Sequence, residues 1–243
     1  MRFTIYEILS DLSGFRKSIN MGILYIVATP IGNLEDVSKR ALRILSEVDL
    51  ILCEDTRVTQ KLLDRYEIKT RTMSYHQHTK IKKIEEIGQL LENGKNIALV
   101  SDAGTPGISD PGNRLIEQLV NYPVGQLRIV PVPGPSALTA AASISGFPMD
   151  KFVFLGFPPV KKKRKKFFDE AINSRYPAVF YESPYRILKT LKEIDLLTER
   201  KIVVCRELTK KFETVYRGSV KDVLAELAKD EIRGEFVVTV GNK

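Results

Sequence analysis

The sequence predicts an α/β protein of two domains, the first built on a parallel sheet and the second on a mixed sheet. From Met21 onward, short apolar runs alternate with stretches whose apolar residues recur at helical spacing. The apolar runs are nearly continuous, which is typical of parallel strands covered by helices on both faces. With 243 residues, the chain is long enough to bury a core in each of two domains.

The first domain is predicted over residues 21–148. Its strands are expected at 23–28, 50–53, 71–75, 97–100 and 127–132. Its helices are expected at 37–48, 56–66, 80–92, 111–121 and 136–145. In the first of these helices, Val37, Ala41 and Leu45 fall on one face.

The second domain is predicted over residues 149–243, after a junction that reads GFPMD. Its strands are expected at 152–155, 178–181, 202–205, 214–217 and 236–240, and its helices at 161–173, 185–196 and 220–229. Because no helix precedes strand 214–217, this second sheet is expected to be mixed. Residues 1–20 are predicted to be an N-terminal extension, with a short amphipathic helix as the alternative.

Composition and charge restrict the class of protein. Its two cysteines, Cys53 and Cys205, lie in apolar runs without metal-ligand spacing, which favours a reduced, cytoplasmic setting and no metal site. No apolar run is long enough to cross a bilayer, so no membrane partner is expected. The net charge is +8, and much of the excess comes from the run KKKRKK at 161–166. Such a run favours a nucleic-acid partner, and a solvated helix face is the alternative interpretation.

Several loops follow predicted strands and would meet at one edge of a parallel sheet. The richest is SDAGTPGISDPG at 101–112, which holds three Gly, two Pro and two Asp. The others are 28–33, 54–57 and 131–136 in the first domain, with 182–186 and 206–207 in the second. A ligand site is the favoured interpretation, and turns that merely connect strands to helices are the alternative.

The loops also limit the ligand. Neither the G-x-G-x-x-G pattern nor the P-loop pattern is present, and prolines remove the amide donors that cradle phosphates. The carboxylate of Asp102 would favour a cationic partner. The residues alone therefore suit a nucleoside-like or an amino-acid-like ligand, and an adenine-containing cofactor with a positive charge is the interpretation they support best.

Longer strings carry a resemblance to a known family. LYIVATPIGNLEDVSKRAL, EDTRVTQKLL, SDAGTPGISDPG, PVPGPSALTAAASISG and FYESPYRI closely resemble the bacterial 16S rRNA (cytidine-2′-O)-methyltransferases of the tetrapyrrole methylase superfamily. The resemblance runs from Ile23 to the C-terminus. It implies S-adenosylmethionine as cofactor, bound in the interdomain cleft, and a homodimer. It also implies a substrate, a cytidine ribose in the decoding region of 16S rRNA within the 30S subunit.

The resemblance further implies which residues contact the cofactor. By motif position these are Pro30, Asp102, Ala103, Gly104, Ser136 and Ala137 from the first domain. From the second domain they are Phe154, Leu155, Glu182, Ser183 and Pro184, with Arg206 and Glu207 added.

Methyl transfer to a ribose hydroxyl needs positioning and removal of a proton. The catalytic candidates are Glu54, Asp55, Arg57 and His76, while Asp102 is assigned to the cofactor. For the EDTR string the alternative is a helix N-cap. The predicted RNA contacts are Lys161, Lys162, Lys163, Arg164, Lys165 and Lys166. Two other functions stay open, namely methylation of a tetrapyrrole or other small substrate, and a non-catalytic RNA-binding assembly factor.

Overall fold

The computed structural model describes residues 21–76, 81–110, 112–121 and 127–242, and contacts group them into two units. Unit 1 holds the described residues up to Val27, together with Ser38–Asp102 and Asp110–Pro133. Unit 2 holds Ala28–Val37, Ala103–Ser109 and the described residues from Gly134 on. The predicted extension at 1–20 lies outside the described residues.

Unit 1 contains a five-stranded sheet and four of the described helices. The strands are β1 (Ile23–Val27), β2 (Leu50–Cys53), β3 (Thr72–Ser74), β4 (Ile97–Leu99) and β5 (Arg128–Val132). The helices are α1 (Lys39–Glu47), α2 (Thr56–Arg65), α3 (Ile81–Glu92) and α4 (Gly112–Val120).

The strands of unit 1 lie in the order β3-β2-β4-β1-β5, and each pairing that joins them is parallel. Leu24 of β1 pairs with Ile97 of β4, and both are fully buried. Each such side chain contributes about 1.5–3 kcal/mol by leaving water. The predicted parallel sheet is confirmed, since strands buried on both faces read as continuous apolar runs.

Unit 2 contains a second five-stranded sheet. Its strands are β6 (Val153–Phe154), β7 (Ala178–Glu182), β8 (Ile202–Arg206), β9 (Thr214–Gly218) and β10 (Phe236–Val240). Its helices are α5 (Ala137–Ile144), α6 (Arg164–Asn173), α7 (Ile187–Asp195) and α8 (Val220–Leu227). The order is β6-β7-β10-β8-β9, with β6 parallel to β7 and the other pairings antiparallel. The predicted mixed sheet is therefore confirmed.

Helix α5 packs within unit 2. Its Ala141 is fully buried and shares a core cluster with Val179 of β7 and Val203 of β8. The predicted domain limits, 21–148 and 149–243, stay a prediction, because contacts group residues without showing which segments fold independently.

Helix α6 begins later than predicted. The residue before it, Lys163, has φ 65°, in the left-handed region that a right-handed helix does not continue. Lys161 and Lys162 therefore precede the helix, and the expected helix 161–173 is corrected to Arg164–Asn173.

Candidate active site

Strands β2 and β4 are neighbours in the unit 1 sheet. The chain leaves their carboxyl ends in opposite directions across the sheet. From β2 it continues to β3 at one edge, and from β4 it continues to β5 at the other. In open parallel sheets, ligands bind in the crevice at such a point. Glu54 and Asp55 follow β2, while Ser101 and Asp102 come shortly after β4.

Three carboxylates of unit 1 interact at this point. The backbone N–H of Asp55 donates to Oδ1 of Asp102 at 3.0 Å. Burial, and then the negative charge of Asp102, raise the pKa of Glu54. Burial, and then the charge of Glu54, raise the pKa of Asp110 to about 6. Glu54 and Asp110 therefore hold a proton more strongly than exposed carboxyls do.

Asp110 was absent from the residues predicted to form the site. The string SDAGTPGISDPG contains the pair Ser-Asp twice, at 101–102 and 109–110, and that repetition is a signal for the second aspartate. Nothing in the string, however, shows that Asp110 becomes partly buried beside Glu54, since 56 positions separate the two residues.

The EDTR string forms the start of α2. Asp55 is its N-cap, and Oδ1 accepts from the backbone N–H of Arg57 at 2.8 Å. The Arg57 guanidinium contacts the same carboxylate, with Nη2 2.6 Å from Oδ2. This contact holds the pKa of Asp55 down to about 2, so Asp55 is a weak proton acceptor. The Arg57 side chain is 87% exposed, which leaves it open to an anion.

His76 follows β3, the strand next to β2. The N–H of Tyr75 donates to the carbonyl of Cys53 at 2.7 Å, which extends the β2–β3 pairing to the residue before His76. The charge of His76 acts on Glu54 and opposes the rise in the pKa of that carboxyl. The structure therefore brings His76 and Glu54 to the same edge of the sheet. His78 lies outside the described residues.

In unit 2, hydrogen bonds join the three loops that follow β1, β4 and β5. Thr29 N–H donates to Gly104 O at 2.9 Å, and Gly104 N–H donates back to Thr29 O at 3.0 Å. The hydroxyl of Thr105 donates to Pro135 O at 3.3 Å. The three Pro/Gly loops thus converge, as the sequence predicts.

Two glycines allow this convergence. Gly104 has φ +83°, a conformation that side-chain-bearing residues rarely adopt. A Cβ on Gly134 would lie 3.1 Å from the Cβ of Ala28, closer than ordinary packing allows. The backbones of the three loops can therefore approach one another closely.

The residues predicted to contact the cofactor differ in exposure. Pro30 and Gly104 are buried, while Asp102 and Ala103 are exposed. Ser136, Ala137, Phe154, Leu155, Ser183 and Pro184 are half-buried. The hydroxyl of Ser136 makes no capping hydrogen bond to α5, the helix that it precedes.

The predicted residues of the second domain meet at one edge of the unit 2 sheet. Phe236 of β10 pairs with Glu182 of β7 on one side and with Arg206 of β8 on the other. Because β6 runs parallel to β7, Leu155 also leaves at this edge. Lys210 and Thr209, which follow β8, lie against Gly32 of the loop after β1.

Glu182 is committed to contacts inside the protein. Its side chain is fully buried, and Oε1 lies 2.8 Å from Nη2 of Arg186. Oε2 accepts from the hydroxyl of Thr190 at 2.6 Å. The carboxylate of Glu182 is therefore enclosed and paired within unit 2.

Arg206 and Glu207 also make internal contacts. Arg206 Nε donates to Arg233 O at 3.0 Å. Glu207 accepts from Lys210 Nζ at 2.8 Å and from the backbone N–H of Glu235 at 2.9 Å. Burial raises the pKa of Glu207, but these hydrogen bonds more than offset it and leave the pKa lowered.

The basic run divides into two kinds of residue. The five lysines at 161–163, 165 and 166 are exposed. Arg164 is 8% exposed, and its guanidinium contacts Glu193 through Nε at 2.7 Å and Thr190 through Nη2 at 2.5 Å. Arg164 is therefore buried and paired within the protein, whereas the five lysines around it are exposed.

The described residues hold neither a metal-binding cluster nor a membrane-spanning helix. No group of three or more His, Cys, Asp or Glu in that part of the chain is arranged to hold a metal ion. Within the same ranges, no helix has the length and apolarity needed to span a membrane.

Comparison with protein families shows a match to a family model. The model, described as tetrapyrrole (corrin/porphyrin) methylases, matches residues 23–224. A curated protein of Thermotoga maritima named ribosomal RNA small subunit methyltransferase I is 45% identical over 224 residues. That alignment covers 92% of this chain and all of the relative. A Bacillus subtilis protein of the same name is 46% identical, and the alignment covers 93% of this chain and 77% of the relative.

Solved structures share the fold at much lower identity. A cobalt precorrin-4 methyltransferase of cobalamin biosynthesis is 20% identical, with a TM-score of 0.66 over 90% of this chain and 94% of that one. A diphthine synthase is 12% identical, with a TM-score of 0.70 over 90% of each chain. At these identities the likeness concerns the fold alone.

Proposed function

Because the chain belongs to the tetrapyrrole methylase family and, within it, to the ribosomal RNA small subunit methyltransferase I proteins, we propose that it methylates the 2′-hydroxyl of a cytidine in the decoding region of 16S rRNA. It is a methyltransferase, and S-adenosylmethionine is its methyl donor. The observation that carries the rRNA substrate is the 45% identity to the Thermotoga maritima protein over that protein's whole length. The likeness to the cobalt precorrin-4 methyltransferase, at 20% identity, concerns the fold alone and favours no tetrapyrrole substrate.

The residues present fit this cofactor. When bound, S-adenosylmethionine supplies a methyl group on a positively charged sulfur, next to an adenosine and an amino-acid end. Asp102 offers an exposed carboxylate to a cation, and Ser136 offers a hydroxyl that does not cap its own helix. The joined loops around Gly104 offer closely spaced backbone groups. We assign Asp102, Ala103, Gly104, Ser136 and Ala137 to cofactor binding, together with Pro30, Phe154 and Leu155.

Ser183 and Pro184 stay in the proposed cofactor set because both are half-buried at the same sheet edge as Leu155. Glu182 leaves it as a direct contact, since its carboxylate is enclosed and paired. We assign Glu182 to positioning of the loop that carries Ser183. Arg206 and Glu207 likewise support the β8 loop through their contacts with Arg233 and Lys210.

We assign Glu54 the role of proton acceptor from the ribose hydroxyl. A carboxylate whose pKa is raised by burial binds a proton better at neutral pH than an ordinary surface carboxylate. The charges of Asp102 and His76 act on Glu54 in opposite directions, and Asp102 raises its pKa while His76 lowers it. Asp55 is the N-cap of α2, and the exposed guanidinium of Arg57 is open to a phosphate of the RNA.

The RNA contacts proposed here are the exposed lysines Lys161, Lys162, Lys163, Lys165 and Lys166. Contacts of this kind bind the phosphate backbone and carry little sequence preference. We further propose that the protein is a homodimer, that it acts on the 30S subunit and that it is cytoplasmic. The resemblance to the family supports these three proposals.

The test incubates the protein with isotopically labelled S-adenosylmethionine and 30S subunits that lack the modification, then maps methylated nucleotides by mass spectrometry. We expect one labelled cytidine ribose in the decoding region. Label in a base or in another region of the rRNA would overturn the assignment of the 2′-hydroxyl. Cofactor binding by calorimetry without any transfer would favour a non-catalytic RNA-binding factor instead.

A further inference from the structure

Three large apolar side chains stand exposed beside the lysine run in unit 2. Tyr185 is 96% exposed, Val160 is 67% exposed and Phe157 is 51% exposed. A single exposed apolar residue is ordinary on a protein surface, but several on adjoining loops next to charged residues mark an interaction site. We call the group made by Phe157, Val160, Tyr185 and Lys161–Lys163 the aromatic–lysine patch.

Arg186 joins the two loops of this patch, and Arg164 holds the first of them in shape. Arg186, the residue after Tyr185, donates from Nη1 to the carbonyl of Pro158, the residue after Phe157, at 3.0 Å. Arg164, the residue after Lys163, donates from Nη1 to the carbonyl of Pro159 at 3.1 Å. The loop 156–163 and the turn 183–186 are therefore held side by side.

The two arginines converge on the same buried carboxylate. Nη2 of Arg186 lies 2.8 Å from Oε1 of Glu182, and Nη2 of Arg164 lies 3.9 Å from Oε2. Thr190 bridges Arg164 and Glu182 with hydrogen bonds of 2.5 and 2.6 Å. Buried ion pairs with satisfied partners favour one arrangement over others, so the two loops are held in one geometry.

The backbone segments that carry the two rings are consequently held in place. Phe157 packs edge-on against Tyr181, with ring centroids 5.4 Å apart. Pro184 precedes Tyr185, and Arg186, which is hydrogen-bonded to Pro158, follows it. The backbone is therefore restricted on both sides of Tyr185. A ligand that stacks on such rings loses less free energy to the ordering of loops.

The chemistry of the patch matches an unpaired nucleic-acid strand. Exposed rings next to lysines are how proteins bind single strands, since bases stack on the rings while phosphates meet the cations. In a duplex the base faces are already stacked and are closed to a protein ring. We propose that the aromatic–lysine patch binds unpaired nucleotides of the substrate RNA by stacking on Tyr185 and Phe157. The proposal rests on the rRNA substrate and adds that the bound segment is single-stranded.

A second copy of the chain is a poorer occupant of this patch. A twofold contact centred on the patch would set Lys161–Lys163 against the same lysines of the other copy. Like charges placed face to face oppose association, whereas an RNA strand brings the opposite charge.

The test measures the affinity of the full chain for a fluorescein-labelled single-stranded RNA of ~12 nucleotides, a length in the range that one stacking domain occupies. Fluorescence anisotropy is recorded over a series of salt concentrations, with an RNA hairpin stem as the paired comparison. The variants are Tyr185→Ala and Phe157→Ala. The controls are Tyr185→Phe, which keeps the ring, and Phe212→Ala, which removes another exposed ring beside a lysine.

We expect each alanine variant to bind the single strand roughly 5- to 100-fold more weakly, with the slope against salt unchanged. Tyr185→Phe and Phe212→Ala should stay within about twofold of the unsubstituted chain. Equal affinities of Tyr185→Ala and the unsubstituted chain for the single strand would overturn the inference. So would a Tyr185→Ala variant that changes the sedimentation coefficient, because the patch would then face a second copy. Failure of the unsubstituted chain to methylate 30S rRNA would instead count against the proposed function. The methylation assay therefore tests the proposed function separately from RNA binding by the patch.

Discussion

At the scale of single residues, Glu54 and Asp55 show how neighbours in sequence acquire opposite acid–base properties. Glu54 loses solvent and faces Asp102, so its pKa rises. Asp55 caps a helix and contacts Arg57, so its pKa falls to about 2. Only the first is suited to accept a proton from a hydroxyl at neutral pH.

We expect Glu54→Gln to lower kcat for rRNA methylation by ~10²- to 10⁴-fold, the range typical of a lost general base. The affinity for S-adenosylmethionine, measured by calorimetry, should stay near that of the unsubstituted chain because Glu54 is not assigned to the cofactor. Asp55→Asn is the matched control, since asparagine also caps helices well. A larger loss of kcat in Asp55→Asn than in Glu54→Gln would contradict the assignment.

Asp110 gives a prediction for stability against pH. Its pKa is about 6 in the folded protein and near 3.8 otherwise, because it is partly buried beside Glu54 and Asp102. Between those values the folded state binds the proton more tightly than the unfolded state, so the free energy of unfolding falls as pH rises through this window. Ionised Asp110 lowers the free energy of unfolding. The full loss is present well above pH 6, and none of it is present below pH 4.

Asp110→Asn cannot ionise and should therefore be more stable than the unsubstituted chain at pH 7, by on the order of 1 to 2 kcal/mol, with no difference near pH 4. Urea unfolding at a series of pH values measures this. The exposed Asp64→Asn variant is the control for the substitution itself. A difference between Asp110→Asn and the unsubstituted chain that stays constant from pH 4 to pH 7 would speak against a raised pKa.

At the scale of elements, the start of helix α6 shows that a run of like charges is not one surface. Lys163 takes a left-handed conformation, and the chain then directs Arg164 inward to Glu182, Thr190 and Glu193. The lysines on either side remain exposed. A single arginine thus fastens the run to α7 while its neighbours stay open to solvent.

Removing one member of a buried ion pair leaves the other uncompensated, so Arg164→Met should lower the free energy of unfolding by about 3 to 5 kcal/mol. Lys165→Met, at an exposed position next to it, should change that quantity by less than about 0.5 kcal/mol. Urea unfolding at pH 7 compares the two variants. Equal stabilities would mean that Arg164 contributes nothing beyond its apolar stem.

At the scale of the whole molecule, the net charge of +8 can attract RNA in two ways. It can act as a general field, or it can act through lysines gathered at one place on the surface. Its concentration in the exposed lysines of 161–166 favours one place. Phosphate contacts release counterions, so each lost contact lowers the slope of log affinity against log salt by ~0.7 for a single strand.

We expect the triple variant of Lys161, Lys162 and Lys163 to alanine to flatten that slope by about 2 units and to weaken RNA binding. The matched control replaces Lys201, Lys221 and Lys229, three exposed lysines of unit 2, and lowers the net charge by the same amount. Anisotropy titrations across salt concentrations measure both. Equal slopes for the two triple variants would show that net charge alone sets the binding.

Much of the fold follows from the chain read locally. The continuous apolar runs at β1, β2 and β4 and the helical spacing in α1 depend on residues a few positions apart, and the side chains of Ser38, Asp55 and Ser219 cap their helices. Strand β9, with no helix before it, is enough to predict a mixed second sheet. These features need only neighbouring residues, so the sequence by itself determines them.

The partners of Asp110 and Arg164 were decided only by the tertiary structure. Asp110 is influenced by Glu54, and Arg164 pairs with Glu182 and Glu193, all far away along the chain. Tyr185 is 96% exposed, and the hydrogen bond from the next residue, Arg186, to Pro158 likewise joins segments that are distant along the chain. Burial and long-range charge depend on which strands are neighbours, and strand order is not a local property of the sequence. The chain thus determines by itself where its functional loops begin, while their packing decides which side chains remain open to a ligand.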